Sequence, residues 1–244
     1  MSIRSILSAP AEFTGEFPIT PQTRAMWRFN EASPDGNTSL ADASGHNRRL
    51  VVSGWSGTTA SLVEGRHGRY FRMNRTNPTT ERTYLTATND GSFFSNLGEK
   101  VAVGGWINPT TYSLGQTYSP IINTRQGPGQ PLFYLSLLSG KPRVMLYNSA
   151  GSLILDQSEM PPFTLVNDGW YFFGVIVGVI DRTSQMVFCN RGDGAAWIGP
   201  IRSCTGPLNP ACMANIVLGM HADTYYYAGG LDDWFIETDT RLIS

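Results

Sequence analysis

Tyr225-Tyr226-Tyr227-Ala228-Gly229-Gly230-Leu231-Asp232-Asp233-Trp234-Phe235-Ile236 is the stretch on which the fold turns. It is rich in aromatic residues and closes its first half with two glycines, and it reads as a strand. Two adjacent carboxylates sit in its middle. Successive side chains of a strand point to opposite faces. Strict alternation therefore groups Leu231, Asp233 and Phe235 on one face and Asp232, Trp234 and Ile236 on the other. Either face then holds an Asp among large apolar groups, where it needs a metal, a cation or several hydrogen-bond donors.

Upstream, strand signals recur between turns. Residues 25–29, 49–53, 69–73, 83–88, 100–107, 120–123, 132–138, 143–147 and 153–155 are short apolar or alternating runs. The run 170–180, Trp-Tyr-Phe-Phe-Gly-Val-Ile-Val-Gly-Val-Ile, is dense in β-branched and aromatic residues and predicts a buried strand. Residues 185–189 follow and end at Asn190-Arg191-Gly192-Asp193-Gly194, a hairpin-type turn. Arg191-Gly192-Asp193 is thus explained by the turn. No helical pattern of ten residues occurs, although 90–98 has room for one turn. Many short strands without crossover helices imply an antiparallel double sheet.

Composition agrees. Charged residues make up 15% of the 244 residues, against roughly 25% in an average protein. Gly (26) and Pro (15) are abundant, and 11% of residues are aromatic. The net charge is −1, and Lys100 and Lys141 are the only lysines, which excludes nucleic-acid binding driven by phosphate neutralisation. No run of 18 apolar residues predicts membrane insertion. The first residues lack the apolar core of an export signal, so the expectation is a chain that stays inside or leaves as part of a particle. Residues 1–23, with Pro10, Pro18 and Pro21, read as an extended arm or anchor ahead of a domain over 24–244. Cys189 reads as a core residue; Cys204 and Cys212 bracket a short loop and would pair only in an oxidising place.

Five segments in order resemble the concanavalin A-like lectin/glucanase superfamily, in particular its laminin-G-like jelly rolls. Trp27-Arg28-Phe29-Asn30-Glu31 is similar to the opening strand, and Asp42-Ala43-Ser44-Gly45-His46-Asn47 to the D-x-S-G turn. Val103-Gly104-Gly105-Trp106-Ile107-Asn108-Pro109-Thr110 looks like the central tryptophan strand. Asp168-Gly169-Trp170-Tyr171 with Met186 to Gly194 looks like the paired hairpin, although its turn departs from the family's Y-V-D-G. Gly229-Gly230-Leu231-Asp232-Asp233-Trp234 resembles the closing G-x-I-D-D-V strand. The resemblance implies an all-β fold, a two-sheet antiparallel jelly-roll sandwich with an extended N-terminal arm.

It also implies candidate sites. A structural Ca²⁺ in such folds would draw on Asp42, on Asp232 or Asp233, and on Glu31, since calcium takes six to eight oxygens. The competing expectation is that these carboxylates accept backbone N–H bonds or pair with Arg. A carbohydrate site would use aromatic platforms with polar neighbours, for which Trp55, Tyr112, Tyr118, Trp197 and the cluster Tyr225, Tyr226 and Tyr227 are candidates. The superfamily's glucanases carry a triplet like E-x-D-x-x-E; Glu237-Thr238-Asp239 starts like it, but Leu242 stands where the third acid belongs. The expectation is a non-catalytic surface module that binds a glycan or host surface. It resembles a virion component, on a phage tail or capsid, docked through residues 1–23 to other subunits. The alternative is a purely structural subunit of a large assembly.

Overall fold

The computed structural model describes residues 17–30, 39–53, 60–65, 68–74, 83–94, 97–126, 131–192, 194–209, 212–221 and 225–238. The strands are β1 (Thr23–Trp27), β2 (Ser39–Leu40), β3 (Leu50–Ser53), β4 (Ala60–Gly65), β5 (Gly68–Met73), β6 (Tyr84–Ala87), β7 (Lys100–Pro109), β8 (Ser119–Gln126), β9 (Phe133–Leu138) and β10 (Lys141–Tyr147). Then come β11 (Leu153–Ser158), β12 (Tyr171–Gly178), β13 (Thr183–Asn190), β14 (Ala196–Ile198), β15 (Arg202–Ser203), β16 (Asn215–Leu218), β17 (Met220–His221), β18 (Tyr225–Tyr226) and β19 (Gly229–Thr238). Among the described residues one helix, α1 (Thr111–Gly115), follows β7. The sequence had room for a helical turn at 90–98; the described part of that segment carries bends instead.

Two antiparallel sheets form a jelly-roll-type sandwich, as expected. A nine-stranded sheet runs β14-β13-β12-β7-β19-β5-β4, with β1 added on β19 and β15 on β13. An eight-stranded sheet runs β11-β10-β9-β8-β16-β6-β3-β2. Between them lies the main core, with Trp27, Phe71, Phe133, Tyr171, Phe173, Phe188, Tyr227 and Trp234. Fully burying one such side chain contributes about 1.5–3 kcal/mol. Every residue of β12 is buried, because a second apolar cluster covers the outer face of its sheet: Phe17, Met26, Ala102, Trp106, Phe172, Ile176, Val187, Cys189 and Phe235. That two-sided burial is why 170–180 shows no polar alternation.

The carboxylate pair of β19 is resolved by a bulge, which corrects the strict alternation expected from the sequence. Asp232 pairs with Trp106 and Phe235 with Gly104, so Asp233 and Trp234 together stand opposite Gly105. The extra residue resets the faces: Leu231, Trp234 and Ile236 enter the core, whereas Phe235 joins the outer cluster. Asp233 is the bulged residue, in the left-handed region at φ 47°, a conformation that Asp tolerates better than most side chains. Trp234 Nε1 donates to the Trp106 carbonyl at 3.1 Å.

The described end of the arm is fastened to this sheet. Phe17 packs on Phe172 and Phe235, with ring centroids 5.6 and 5.1 Å away. Arg28 Nη2 donates to the Phe17 carbonyl at 2.9 Å, and Thr20 Oγ1 donates to Glu237 Oε1 at 3.0 Å. Cys189, Cys204 and Cys212 are all buried free thiols.

Candidate ligand-binding surface

Cross-strand partners share a face, so register alone maps the outer side of the eight-stranded sheet. One row across it reads Thr86, Val217, Asn123, Tyr134, Met145 and Asp156. Tyr134 and Ser136 face outward because Phe133, Leu135 and Leu137 alternate into the core. β17 and β18 form a small ribbon over this face, in which His221 pairs with Tyr225. Asn123 Nδ2 holds the ribbon by donating to the Met220 carbonyl at 2.7 Å.

The ribbon brings four rings together. Tyr118 lies 5.4 Å from Tyr134 and 5.4 Å from Tyr225. The His221 ring meets Tyr134 edge-on at 4.8 Å and stacks beside Tyr225 at 6.3 Å. Tyr225 is 41% exposed, whereas Tyr134 is buried as the floor. Beside them Arg143 Cζ stands 5.2 Å over the Tyr118 ring. Its guanidinium is held flat by Asp156, with Nε to Oδ1 at 2.7 Å and Nη2 to Oδ2 at 2.5 Å. The fork-to-fork pair raises the Arg143 pKa above its ordinary value, mainly through those hydrogen bonds. Burial pushes the Tyr118 hydroxyl up, so it stays a neutral donor at physiological pH. The surface therefore joins an aromatic platform to one locked, planar donor–acceptor pair.

Of the aromatic candidates, Tyr118 and Tyr225 meet in this cluster. Tyr226 is buried beside it with Val217, Met220 and Tyr84. Tyr227 lies wholly in the core, its hydroxyl donating to the Gly230 carbonyl at 3.2 Å. Trp197, on the edge strand β14, packs half-buried against the core. Tyr112 is half-buried on α1, and Trp55 lies outside the described residues. No motif in the sequence assigns Tyr134, His221, Arg143 or Asp156 to this surface. The alternation of 132–138 and 143–147 carries the signal for Tyr134 and Arg143; nothing local marks His221, which only the ribbon brings in.

Two of the acidic side chains, Asp42 and Glu237, are committed to structure. Asp42 Oδ1 accepts from the Met26 and Ser44 amides at 3.0 and 2.9 Å. Its Oδ2 accepts from Ser44 Oγ and the Arg48 amide at 2.8 and 2.9 Å. Four donors fill the acceptor positions of one carboxylate. The early turn and the closing strand do converge, since both bond to β1. Yet among the described residues no group of three or more His, Cys, Asp or Glu is placed to hold an ion, and the Asp42 donor set does not fit calcium. Glu31 lies outside the described residues. Glu237, the first acid of the partial glucanase-like triplet, is buried and accepts from Thr20 and Thr23.

No family model and no curated protein matches the sequence. Solved structures do match. The binding domain of Paraclostridial Mosquitocidal Protein 1 superposes with a TM-score of 0.61 at 17% identity, over 91% of this chain and 50% of that one. The receptor binding domain of botulinum neurotoxin D gives 0.60 at 14% identity, over 91% and 50%. The binding domain of botulinum neurotoxin DC in complex with SialylT gives 0.61 at 14% identity, over 90% and 48%. At these identities the likeness shows the fold. The chain spans about half the length of those domains. Among the described residues no helix is long and apolar enough to cross a membrane.

Proposed function

We propose that the chain is a non-catalytic recognition module of the laminin-G-like, concanavalin A-like kind. It binds a surface glycan on the outer face of the eight-stranded sheet. The observation that carries this is the convergence of Tyr118, Tyr134, His221 and Tyr225 beside the locked Arg143–Asp156 pair. Saccharide rings offer apolar C–H faces to aromatic side chains and hydroxyl pairs to planar polar groups. Structural neighbours named as binding domains, one of them with SialylT, agree with a recognition role. A glycan array of bacterial and host saccharides tests it, with Y118A/Y225A beside the unaltered protein. The expected result is a small set of hits that the double variant loses. Undiminished binding by the variant, or silence across the array, would refute the assignment.

The second part of the proposal is placement: a particle component, such as a virion surface protein, docked through its N-terminal arm. Phe17 and Thr20 are fastened on the nine-stranded sheet, whereas the tyrosine surface lies on the outer side of the opposite sheet. A sandwich held by that arm presents the tyrosines away from its anchor. Removing residues 1–16, which spares the Phe17 contacts, should abolish incorporation into the particle while leaving glycan binding intact. Normal assembly of the truncated chain overturns the anchor. An array without hits, together with failed assembly on truncation, would favour a purely structural subunit.

A further inference from the structure

The outer face of the nine-stranded sheet carries a second aromatic and polar cluster, built over the glycines of β19. Register places Ser61, Arg72, Gly230 and Asn108 side by side in one row. Gly230 leaves a gap in that row. A Cβ there would stand 2.9 Å from Tyr70 Cδ2 and 3.0 Å from Trp170 Cη2. The two rings instead meet across the bare backbone, edge to face, with centroids 5.0 Å apart. Tyr70 is buried beneath, and Trp170 above it is partly buried against the apolar cluster of that face. The next outward residue of β19 is Asp232, also half exposed.

The segment that brings Trp170 is held on every side. The Asp168 amide donates to the Pro109 carbonyl at 3.0 Å, and the Val166 amide donates to the Tyr171 hydroxyl at 2.8 Å. The Thr111 amide donates to Asn167 Oδ1 at 2.6 Å, and Asn108 Nδ2 donates to the Gly169 carbonyl at 3.2 Å. Asp168 adopts φ 58°, which places a half-exposed carboxylate next to Arg72. Their closest approach is 3.5 Å, against 2.5 Å for Arg143 and Asp156. Arg72 Nη1 also lies 3.5 Å from the Tyr70 hydroxyl. Both long contacts leave hydrogen-bonding capacity at Arg72 unspent. Asp168 Oδ2 is itself steadied by Asn167 Nδ2, which donates to it at 2.6 Å. A rigid segment, a partly exposed indole and a guanidinium with spare capacity make a pre-organised small-ligand surface.

We propose that Trp170, with Tyr70 beneath its edge and Arg72, Asp168 and Asp232 around it, forms a second saccharide-binding surface. It faces away from the tyrosine surface, so one module grips two glycan segments and cross-links them. This rests on the glycan-recognition function proposed above and not on the docking of the arm to a particle, since Phe17 lies on this same face. Bivalence raises apparent affinity for a polymeric glycan by about 10²-fold or more over a single site.

Native affinity gels cast with yeast mannan, dextran, galactomannan or purified bacterial O-chains test it. Four proteins are run: unaltered, Y118A/Y225A, D168N/W170F and the combination. Asn tolerates the conformation of Asp168 and Phe keeps a ring on Gly230, so melting should be unchanged; D168N alone serves if it is not. In any gel that retards the unaltered protein, each single-face variant should keep weak retardation, and the combination should lose it. Retardation of D168N/W170F equal to that of the unaltered protein overturns the second surface and leaves the first standing. Full loss in D168N/W170F with none in Y118A/Y225A supports this surface and overturns the first. No retardation of the unaltered protein in any gel overturns both.

Discussion

Gly105→Ala tests the geometry of the closing strand directly. Gly105 lies on β7 opposite the bulge, with the Trp234 indole across its Cα. A Cβ built there stands 2.5 Å from Trp234 Cγ and Cδ2 and 2.7 Å from Cδ1. The indole is fully buried, so relief requires shifting a packed ring rather than a flexible tip. Overpacking of this kind costs about 1–3 kcal/mol. Displacing the ring also breaks the bond from Nε1 to the Trp106 carbonyl, and a buried unsatisfied donor costs about 1–3 kcal/mol. The stiffer unfolded chain offsets about 0.4–1 kcal/mol. The net expectation is about 2–4 kcal/mol of destabilisation, a drop of roughly 4–16 °C in Tm for a chain of this size. Urea titration followed by tryptophan fluorescence measures it, provided the m-value is unchanged. Gly115→Ala is the control: no atom lies within 4 Å of its Cβ, and it sits in α1, where Ala is neutral or stabilising. A loss below about 1 kcal/mol at Gly105, or an equal loss at Gly115, refutes the packing account.

Phe17→Ala removes the ring that rests on Phe172 and Phe235, and should cost about 3 kcal/mol in urea unfolding; a loss below about 1 kcal/mol would make the arm an appendage. Buried tyrosines contribute to alkaline stability. Burial raises the pKa of Tyr227 well above its ordinary value, and that of Tyr118 in the same direction. The folded state then holds protons that the unfolded state gives up above about pH 10, so the contribution of these two tyrosines is complete below that pH and is lost as pH rises through the folded values. Absorbance at 295 nm should show a late-ionising fraction that includes Tyr118 and Tyr227, the latter only with unfolding; early, reversible ionisation of all ten tyrosines would contradict this. EDTA should leave Tm unchanged, because the Asp42 oxygens are filled by chain donors; a clear drop, restored by calcium, would show that the ligands lie elsewhere. Cys204 and Cys212, buried with raised pKa, should react with a thiol reagent only on unfolding.

Much of the sandwich was legible locally. Residues 170–180 could hardly be anything but a strand, and β12 pairs along its whole length with β7 and β13. The candidate surface was half legible. Tyr118 and Tyr225 were open to view as aromatic residues in turn-rich sequence, but their partners were hidden. Tyr134 looks like core in a run of Phe, Leu and Leu until its register is known. His221 looks isolated until the two-residue ribbon folds it over the sheet. The short strands β14 and β15 were missed because pairing with β13, not propensity, makes them strands.

The sequence by itself determined the fold class, since alternation, β-branched density and turn residues act over a few neighbours. Only the tertiary structure decided where the two carboxylates of Leu231-Asp232-Asp233-Trp234 go. A bulge is a property of two strands together: Asp233 is the extra residue only because β7 supplies Gly105 as the single partner for it and Trp234. The same holds for both candidate surfaces. Rings far apart in the chain, Tyr118 with Tyr225 and Tyr70 with Trp170, meet through register, and register is fixed by burial across the sandwich rather than by any local pattern.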